Sequence, residues 1–317
     1  MTTVDEATAP ALDAPGREPG GRWRRFRSRL TPYVVIFPGG LWLVIFFLLP
    51  MIFMLSLSTQ QGSVVDGYSQ VWDFGTYSRA FSNYHDQLIR SLEYGLISTV
   101  LQIVIAYPIA YWLAFRAGTR KSLYLFLLLL PFFVSFVLRT QSWNFMLADN
   151  GFILSWLKSP SIFGWHLPFH LGQSFHVLAT TPAVIGGLTY NYLPFMILPI
   201  YVALERVDPR LIEASYDLYA TKFRAFRKVI FPLSLPGVFA GVVITFVPVS
   251  SDYVNAHILG GTNNSMIGNV IQNQYLIVQN YPTASALSFI LMAVLLIGVF
   301  AYARALGTEE VLEVAAR

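Results

Sequence analysis

The chain has 317 residues, of which 55% are hydrophobic and only 12% are charged, well below the roughly 25% charge of a soluble domain. The absence of cysteine excludes disulfides, thiol catalysis and cysteine-held metals. The net charge of +4 is modest and gives no indication of a nucleic-acid partner.

The N-terminal region, residues 1–31, is polar, rich in Pro, Gly and Ala, and ends in a run of arginines. The apolar segment that follows, Tyr33–Leu57, is long enough to span a membrane and longer than the core of a signal peptide. We therefore expect this segment to remain as the first span. The tail before it is predicted to be disordered and cytoplasmic, with its arginines acting as an orientation signal or lying near anionic headgroups.

Five further apolar runs approach or exceed the roughly 20 residues that a helix needs to cross a bilayer. They are Tyr94–Phe115, Ser122–Met146, Val177–Leu204, Gly237–Val254 and Ala284–Ala305. Helices are expected, because backbone groups in lipid must be paired internally and short alternating strand segments are absent. The sequence thus predicts an all-α membrane protein with six transmembrane helices over residues 32–305 and a second cytoplasmic tail at residues 306–317.

The distribution of Lys and Arg predicts the orientation of these spans. Of the 21 Lys and Arg residues, 17 lie in the two tails and in the connections that follow the second and fourth runs. The four on the opposite side are Arg79, Arg90, Arg139 and Lys158. Both termini and the loop at residues 205–235 are therefore predicted to be cytoplasmic.

The predicted outer segments are Ser58–Arg90 and Ala148–Phe175, which are aromatic, and Asn263–Tyr281, which has helical character. An interfacial belt of aromatic rings is the simplest interpretation. Contact with an external docking protein is the alternative.

The loop between the fourth and fifth runs carries too many charges for a spanning helix, since each Asp, Lys or Arg at the bilayer centre costs roughly 2.5–3.5 kcal/mol. Asp208 followed by Pro209 is a helix start signal, and Thr221 is positioned to cap a second helix. Pro232 and Pro236 are expected to end that second helix. The loop is therefore predicted to form two short helices at the membrane surface that fit a groove in a partner.

The sequence shows no arrangement of residues that would carry catalysis. Of the five histidines, His166 and His170 have a four-residue spacing, but Pro168 lies between them and no carboxylate is near, so no metal site is predicted. We expect that the chain is not an enzyme, and that energy for any transport comes from a partner or from a gradient.

Polar groups inside predicted spans are costly and therefore point to function. Asp252 lies near the outer end of the fifth run, and Tyr190, Asn191 and Tyr192 lie near the middle of the fourth. Carboxylates and aromatic faces suit a cationic substrate through ion pairing and cation–π attraction. We predict that these four residues and Trp143 line a substrate pathway, with helix packing or a headgroup-level role as the alternatives.

Two further charged residues near the spans have a different interpretation. Glu93 is expected to be a solvated interface residue. Arg139 would repel a cation, so we expect it to pair structurally, with Asp149 or with a headgroup.

The cytoplasmic loop resembles a signature of ABC-importer permeases, a motif E-A-A-x-x-x-G followed by F-x-x-I/V-x-x-P-L-x-x-P-G. The matching residues are Glu213-Ala214-Ser215, Phe226, Val229, Pro232-Leu233 and Pro236-Gly237. Two positions depart from the motif, because Ser215 replaces the second alanine and Tyr219 stands where the glycine is expected. A Cβ at that glycine position hinders the turn and the close approach that glycine permits.

The resemblance implies that this loop docks into a cleft on a cytoplasmic ATPase and transmits its closure. The residues implied for this contact are Glu213, Ala214, Ser215, Asp217, Leu218, Tyr219, Phe223 and Phe226. ATP and Mg would be bound by the partner ATPase, so no cofactor is expected in this chain.

A wider resemblance, over roughly Leu41–Arg304, is to the permease subunits of spermidine/putrescine ABC importers. The stretches that carry it are LLPMIFMLSLS, LRTQSW, LTYNYLPFMILPIYVALERVDPRLIEA, SSDYVNAHILGG and IGNVIQNQ. It implies a type I importer permease of the bacterial plasma (inner) membrane that forms half of a polyamine pathway. The implied partners are a second permease, two copies of the ATPase and an extracytoplasmic polyamine-binding protein.

Three alternatives stand beside this interpretation. A permease for another small solute would share much of the same pattern. A secondary transporter driven by an ion gradient would show inverted repeats and midplane charges, whereas the charges here cluster near the ends of the runs. A membrane-embedded enzyme would need a catalytic set at an interface.

Overall fold

The computed structural model of the chain describes residues 36–151, 155, 161–162, 165–166 and 176–305. The predictions for the two tails, residues 1–31 and 306–317, lie outside these residues. So do those for most of the outer segment between Ala148 and Phe175, including the side chains of His166 and His170.

The chain divides into two compact units, Met1–Met54 and Leu55–Arg317. The described part of the first unit is an apolar helix, α1 (Ile36–Ser58), whose last turn belongs to the second unit. One turn of α1, Val44–Leu48, is π-helical and comes just before Pro50. A wider turn leaves room for the proline ring, which would otherwise clash with the carbonyl of the preceding turn.

The described residues of the second unit form helices joined by short connections, with two small hairpins. The helices are α2 (Gly75–Phe115), α3 (Lys121–Leu129), α4 (Phe136–Leu147), α5 (Thr181–Glu205), α6 (Pro209–Asp217), α7 (Lys222–Ser250), α8 (Val254–Leu259), α9 (Ile267–Leu276) and α10 (Tyr281–Ala305). The antiparallel hairpins are β1 (Gln60–Ser63) with β2 (Gly67–Gln70), Gln60 opposite Gln70, and β3 (Ser161–Ile162) with β4 (Trp165–His166), Ser161 opposite His166.

Helices α1, α2, α5, α7 and α10 are long and apolar enough to cross a membrane. A sixth span results when Gly118–Phe133, which contains α3, is taken together with α4, although the two are bent by 86°. The bend lies at Val134 and Ser135, whose ψ angles of 141° and 136° interrupt the helix shortly after Pro131. The predicted all-α membrane architecture is confirmed, with five spans, or six when the bent pair is counted as one broken span.

The second span begins earlier than predicted. Helix α2 starts at Gly75 rather than at Tyr94, so part of the predicted outer segment is helical, with a kink at Tyr84. This part is polar and aromatic, as expected for a water-facing extension of an apolar span. Hydropathy alone does not reveal such an extension, because it detects only the apolar part of the helix.

The fifth span also begins earlier, and the prediction that Pro232 and Pro236 end the loop helix is wrong. Helix α7 runs from Lys222 to Ser250 without a break and contains both prolines. A π-helical turn, Phe226–Ile230, comes just before Pro232, as the π-helical turn of α1 comes just before Pro50. The wider turn accommodates the proline, and prolines are tolerated in spanning helices whose neighbours satisfy the backbone groups they leave unpaired.

The centre of the second unit is the crossing of α5 with α2 and α7. A Cβ at Gly237 of α7 would lie 2.5 Å from the carbonyl oxygen of Pro199 and 2.4 Å from Cβ of Ala203, so the crossing requires glycine. The buried residues around it include Ala106, Tyr107, Ala110, Met196, Ile200, Leu204 and Val238. This packing places the middle of α5 inside the protein, where its polar side chains need partners.

Candidate functional site

Asp252 lies in the break between α7 and α8, and its side chain is 6% exposed. Its carboxylate accepts hydrogen bonds from the backbone N–H of Asn255 (2.7 Å), from Asn255 Nδ2 (3.2 Å) and from the Tyr192 hydroxyl (3.1 Å). Within the described residues, no lysine or arginine pairs with this carboxylate.

Asn191, at the middle of α5, is fully buried and connects three other polar side chains. Its Nδ2 donates to Asn255 Oδ1 (2.8 Å) and to Thr140 Oγ1 (2.9 Å). Its Oδ1 accepts from Arg139 Nε at 2.7 Å. The network therefore extends from α4 through α5 to the start of α8.

Arg139 is 8% exposed and lies just after the bend of the third span. Besides Asn191, its guanidinium donates to the carbonyl oxygen of Pro131 (3.2 Å) and lies 4.0 Å from the centre of the Phe132 ring. The expected pairing with Asp149 is not among these contacts, and Asp149 contacts His176 at 2.7 Å. The partner of Arg139 is a neutral amide rather than a carboxylate.

Aromatic rings border this polar network. The Trp143 and Tyr190 rings are 5.4 Å apart, and the Tyr192 ring is 5.8 Å from Phe136 and 6.4 Å from Phe195. A carboxylate bordered by aromatic faces suits an organic ammonium ion chemically.

All five residues predicted to line a pathway thus lie in or beside one network: Trp143, Tyr190, Asn191, Tyr192 and Asp252. The sequence interpretation missed Asn255 and Thr140, and it gave Arg139 a different partner. The three-residue spacing of Asp252 and Asn255, which allows a side-chain cap, was the available signal for Asn255. Glu93 is exposed on α2.

The loop between α5 and α7 forms a second candidate surface. Asp208 accepts from the backbone N–H of Arg210 (2.9 Å) at the start of α6, and Thr221 accepts from that of Arg224 (3.3 Å) at the start of α7. Both predicted helix starts are confirmed. Of the eight residues implied for ATPase contact, six are exposed: Glu213, Ala214, Asp217, Leu218, Tyr219 and Phe223.

Two of the eight point inward, so they do not form part of the exposed loop surface. Ser215 is buried, and its hydroxyl donates to the carbonyl oxygen of Ile212 at 2.7 Å. The Phe226 ring packs edge-on against Tyr107 of α2 at 5.6 Å. Phe226 attaches the loop to α2, whereas the hydrogen bond of Ser215 stays within α6.

Tyr219 follows the end of α6 in the left-handed backbone region, which favours glycine. Its φ is +59°, and its side chain is 93% exposed. The backbone N–H of Ala220 bonds to the Ser215 carbonyl (3.0 Å) and that of Tyr219 to the Tyr216 carbonyl (2.9 Å), which is the Schellman pattern of a helix C-terminus. The turn therefore forms without glycine and leaves the tyrosine ring exposed, as are Leu218 and Phe223, at 82% and 72%.

Comparison with known proteins identifies relatives over most of the chain. Residues 24–307 match the family model of "Binding-protein-dependent transport system inner membrane component". The chain is 34% identical over 267 residues to the "Spermidine/putrescine transport system permease protein PotB" of Haemophilus influenzae, covering 83% of this chain and 90% of the relative. It is 31% identical over 265 residues to the protein of the same name from Escherichia coli, covering 83% and 94%.

A solved structure shares the fold. The chain covers 94% of a chain in the crystal structure of a bacterial alginate ABC transporter in complex with an alginate pentasaccharide-bound periplasmic protein. The TM-score is 0.61 at 18% identity, and 88% of this chain is covered. The apolar spans and the family match make the chain a multi-pass protein of the bacterial inner membrane. It belongs to the family of binding-protein-dependent transport system inner membrane components, the permease subunits of ABC importers.

Proposed function

We propose that the chain forms half of a pathway for polyamine uptake, with spermidine or putrescine as substrate. The relatives named as spermidine/putrescine permeases support this substrate class. The observation in the chain itself that carries the proposal is Asp252, a buried carboxylate without a lysine or arginine partner in the described residues, bordered by Tyr192. An ammonium group on the substrate would supply the missing positive charge, whereas an anionic substrate would be repelled.

The proposed partners are a second permease, two copies of a cytoplasmic ATPase that bind ATP and Mg, and an extracytoplasmic polyamine-binding protein. The excess of Lys and Arg in the tails and in the loop at residues 205–235 supports a cytoplasmic location for both termini and that loop. The six exposed loop residues, Glu213, Ala214, Asp217, Leu218, Tyr219 and Phe223, form the proposed ATPase contact.

The proposed mechanism is alternating access, in which closure of the ATPase pair moves the spans. Helix α7 offers a direct route, because its 29 residues form a rod of about 43 Å from the loop at Lys222 to the break that holds Asp252. A displacement at the cytoplasmic end therefore reaches the candidate recognition carboxylate without crossing a flexible segment. Phe226, packed on Tyr107, ties the same rod to α2.

The substrate assignment is tested by uptake of labelled spermidine into cells that depend on this transporter. Asp252→Asn should lower uptake at least tenfold at low spermidine, since a hydrogen bond to a charged group is lost together with the charge. Asp252→Glu should retain part of the activity, and Glu93→Gln, which neutralises an exposed carboxylate, serves as the matched control. Normal spermidine uptake by Asp252→Asn would exclude the carboxylate from recognition. Failure of the wild-type transporter to import any polyamine would favour another solute.

The coupling assignment is tested by Glu213→Lys, which reverses an exposed charge on α6. The variant should insert normally into the membrane and lose either transport or the co-purifying ATPase. If both survive, the loop assignment is wrong. Transport by the purified chain alone in proteoliposomes, driven only by an ion gradient, would replace the importer proposal with a secondary transporter.

A further inference from the structure

Arg139 is the least expected member of the buried network, because a cation there opposes a cationic substrate. Burying a guanidinium in a spanning segment is costly, and residues of this kind are usually retained for function. Within the described residues it has no carboxylate partner, and its polar contacts are Asn191 and the Pro131 carbonyl. Charge neutralisation therefore does not explain its position.

The guanidinium joins the two arms of the broken third span. Pro131 and Phe132 belong to the arm before the bend, and Arg139 belongs to the arm after it. The hydrogen bond to Pro131 (3.2 Å) and the stacking on Phe132 (4.0 Å) both cross the 86° bend. One side chain thus fixes the bend and reaches α5 at the same time.

Arg139 also sets the direction of a hydrogen-bond chain. A guanidinium only donates, so Asn191 must face it with its carbonyl oxygen and present its N–H groups to the opposite side. Asn191 Nδ2 then meets Asn255 Oδ1 (2.8 Å), which in turn directs Asn255 Nδ2 toward Asp252 (3.2 Å). Two aligned amides therefore run from the buried cation to the buried carboxylate, and such aligned bonds strengthen one another.

The separation by two amides has a chemical consequence. A direct ion pair between Arg139 and Asp252 would neutralise the carboxylate and leave it unavailable to a substrate ammonium. The two amides orient the Asp252 carboxylate while keeping the guanidinium away from it. Asp252 therefore keeps its capacity to bind a cation.

We propose that Arg139 is a positioning residue that orients the Asp252 carboxylate through Asn191 and Asn255, and thereby joins the bend of the third span to substrate recognition. This inference rests on the proposed function, since it assigns Asp252 to the binding of a substrate ammonium. Arg139 itself makes no contact with substrate in this arrangement and acts only through the two amides.

The test is a double-mutant cycle between Arg139→Gln and Asn255→Ala in the complete transporter, reconstituted with its binding protein and assayed with labelled spermidine. Asp252 stays in place, so uptake remains measurable. Arg139→Gln should raise KM about tenfold, the effect of one hydrogen bond to a charged group, with kcat changed less than about twofold. In the Asn255→Ala background the same substitution should raise KM little further, because the hydrogen-bond chain to Asp252 is already interrupted.

Arg90→Gln is the matched control, since Arg90 also donates to carbonyl oxygens, those of Asn263 and Ser265, but lies outside the network. Its effect should combine independently with that of Asn255→Ala. Arg139→Lys keeps a charged donor that can point at Asn191, so it should retain most of the wild-type KM. If Arg139→Gln does not accumulate in the membrane, Arg139→Met, which also lacks the charged donor, is used in the same cycle.

The proposal is supported if the effects of Arg139→Gln and Asn255→Ala on KM are not additive in free energy and kcat changes little. An unchanged KM, or effects of the two substitutions that multiply as in the Arg90 control, would overturn it while leaving polyamine uptake by the wild type intact. A wild-type complex that imports no spermidine would overturn the proposed function and this inference with it.

Discussion

Tyr219 offers the sharpest test of the proposed ATPase docking at the loop of residues 205–235, because two substitutions separate its backbone from its ring. Its φ of +59° costs a non-glycine residue roughly 1–2 kcal/mol. Tyr219→Gly removes this strain but gains roughly 0.5–1 kcal/mol of unfavourable backbone entropy, so the permease should be stabilised by about 1 kcal/mol or less. Tyr219→Ala keeps the strain. Since the side chain is 93% exposed, neither variant loses much packing within the chain.

The two variants share the loss of the ring. If the ring enters the ATPase groove, each should weaken ATPase binding by about 2 kcal/mol, the usual threshold for an aromatic anchor, or about 30-fold in Kd. The assay is a titration of the ATPase onto the purified permease pair in lipid nanodiscs, with a thermal unfolding curve for each variant. Tyr275→Ala removes a half-exposed tyrosine from α9 and should leave the Kd unchanged.

Binding of the Tyr219→Gly variant as tightly as the wild type would refute the ring as an anchor. In that case the replacement of the motif glycine by tyrosine would not affect docking. Its only energetic cost would be the backbone strain of the left-handed turn.

Two further predictions concern stability. Gly237→Ala places a Cβ 2.5 Å from the Pro199 carbonyl oxygen and should cost about 1–3 kcal/mol by thermal unfolding, whereas Gly298→Ala, with open space around it, should cost nothing. Asp73→Asn should lower the melting temperature by a constant amount between pH 5 and 8, because the Arg79 and Gln61 side chains hold the pKa of Asp73 near 2, below its usual 3.8. That difference should shrink as the pH falls from 3.8 through about 2, and a difference that grows on acidification would contradict the reasoning.

The six spans could be predicted from the sequence because the membrane imposes a single strong requirement, an apolar stretch of sufficient length. The helix starts at Asp208 and Thr221 were equally accessible, since a capping side chain acts on backbone groups two or three residues away. Patterns of this kind depend only on neighbouring residues and on the solvent.

The features that the sequence did not reveal depend on distant residues. The proline rule predicted an end to the loop helix at Pro232, but the π-helical turn before it and the helices around it allow α7 to continue. Phe223 and Phe226 were both assigned to the ATPase contact, yet only the packing of α2 decides that Phe226 points inward. Arg139 and Asn191 are 52 positions apart, and no local pattern relates them.

The position of the buried network follows from where the helices are interrupted. The bend at Val134 and Ser135 and the break after Ser250 both interrupt the regular helical pattern of backbone hydrogen bonds, and side chains add hydrogen bonds at both places. At the bend, Arg139 donates a hydrogen bond to the Pro131 carbonyl oxygen. At the break, Asp252 accepts one from the backbone N–H of Asn255. The polar side chains that repair the two breaks are therefore the same ones that make a cation site possible. Under the proposed function, a polyamine bound at Asp252 would therefore lie directly beside an interruption between two helices.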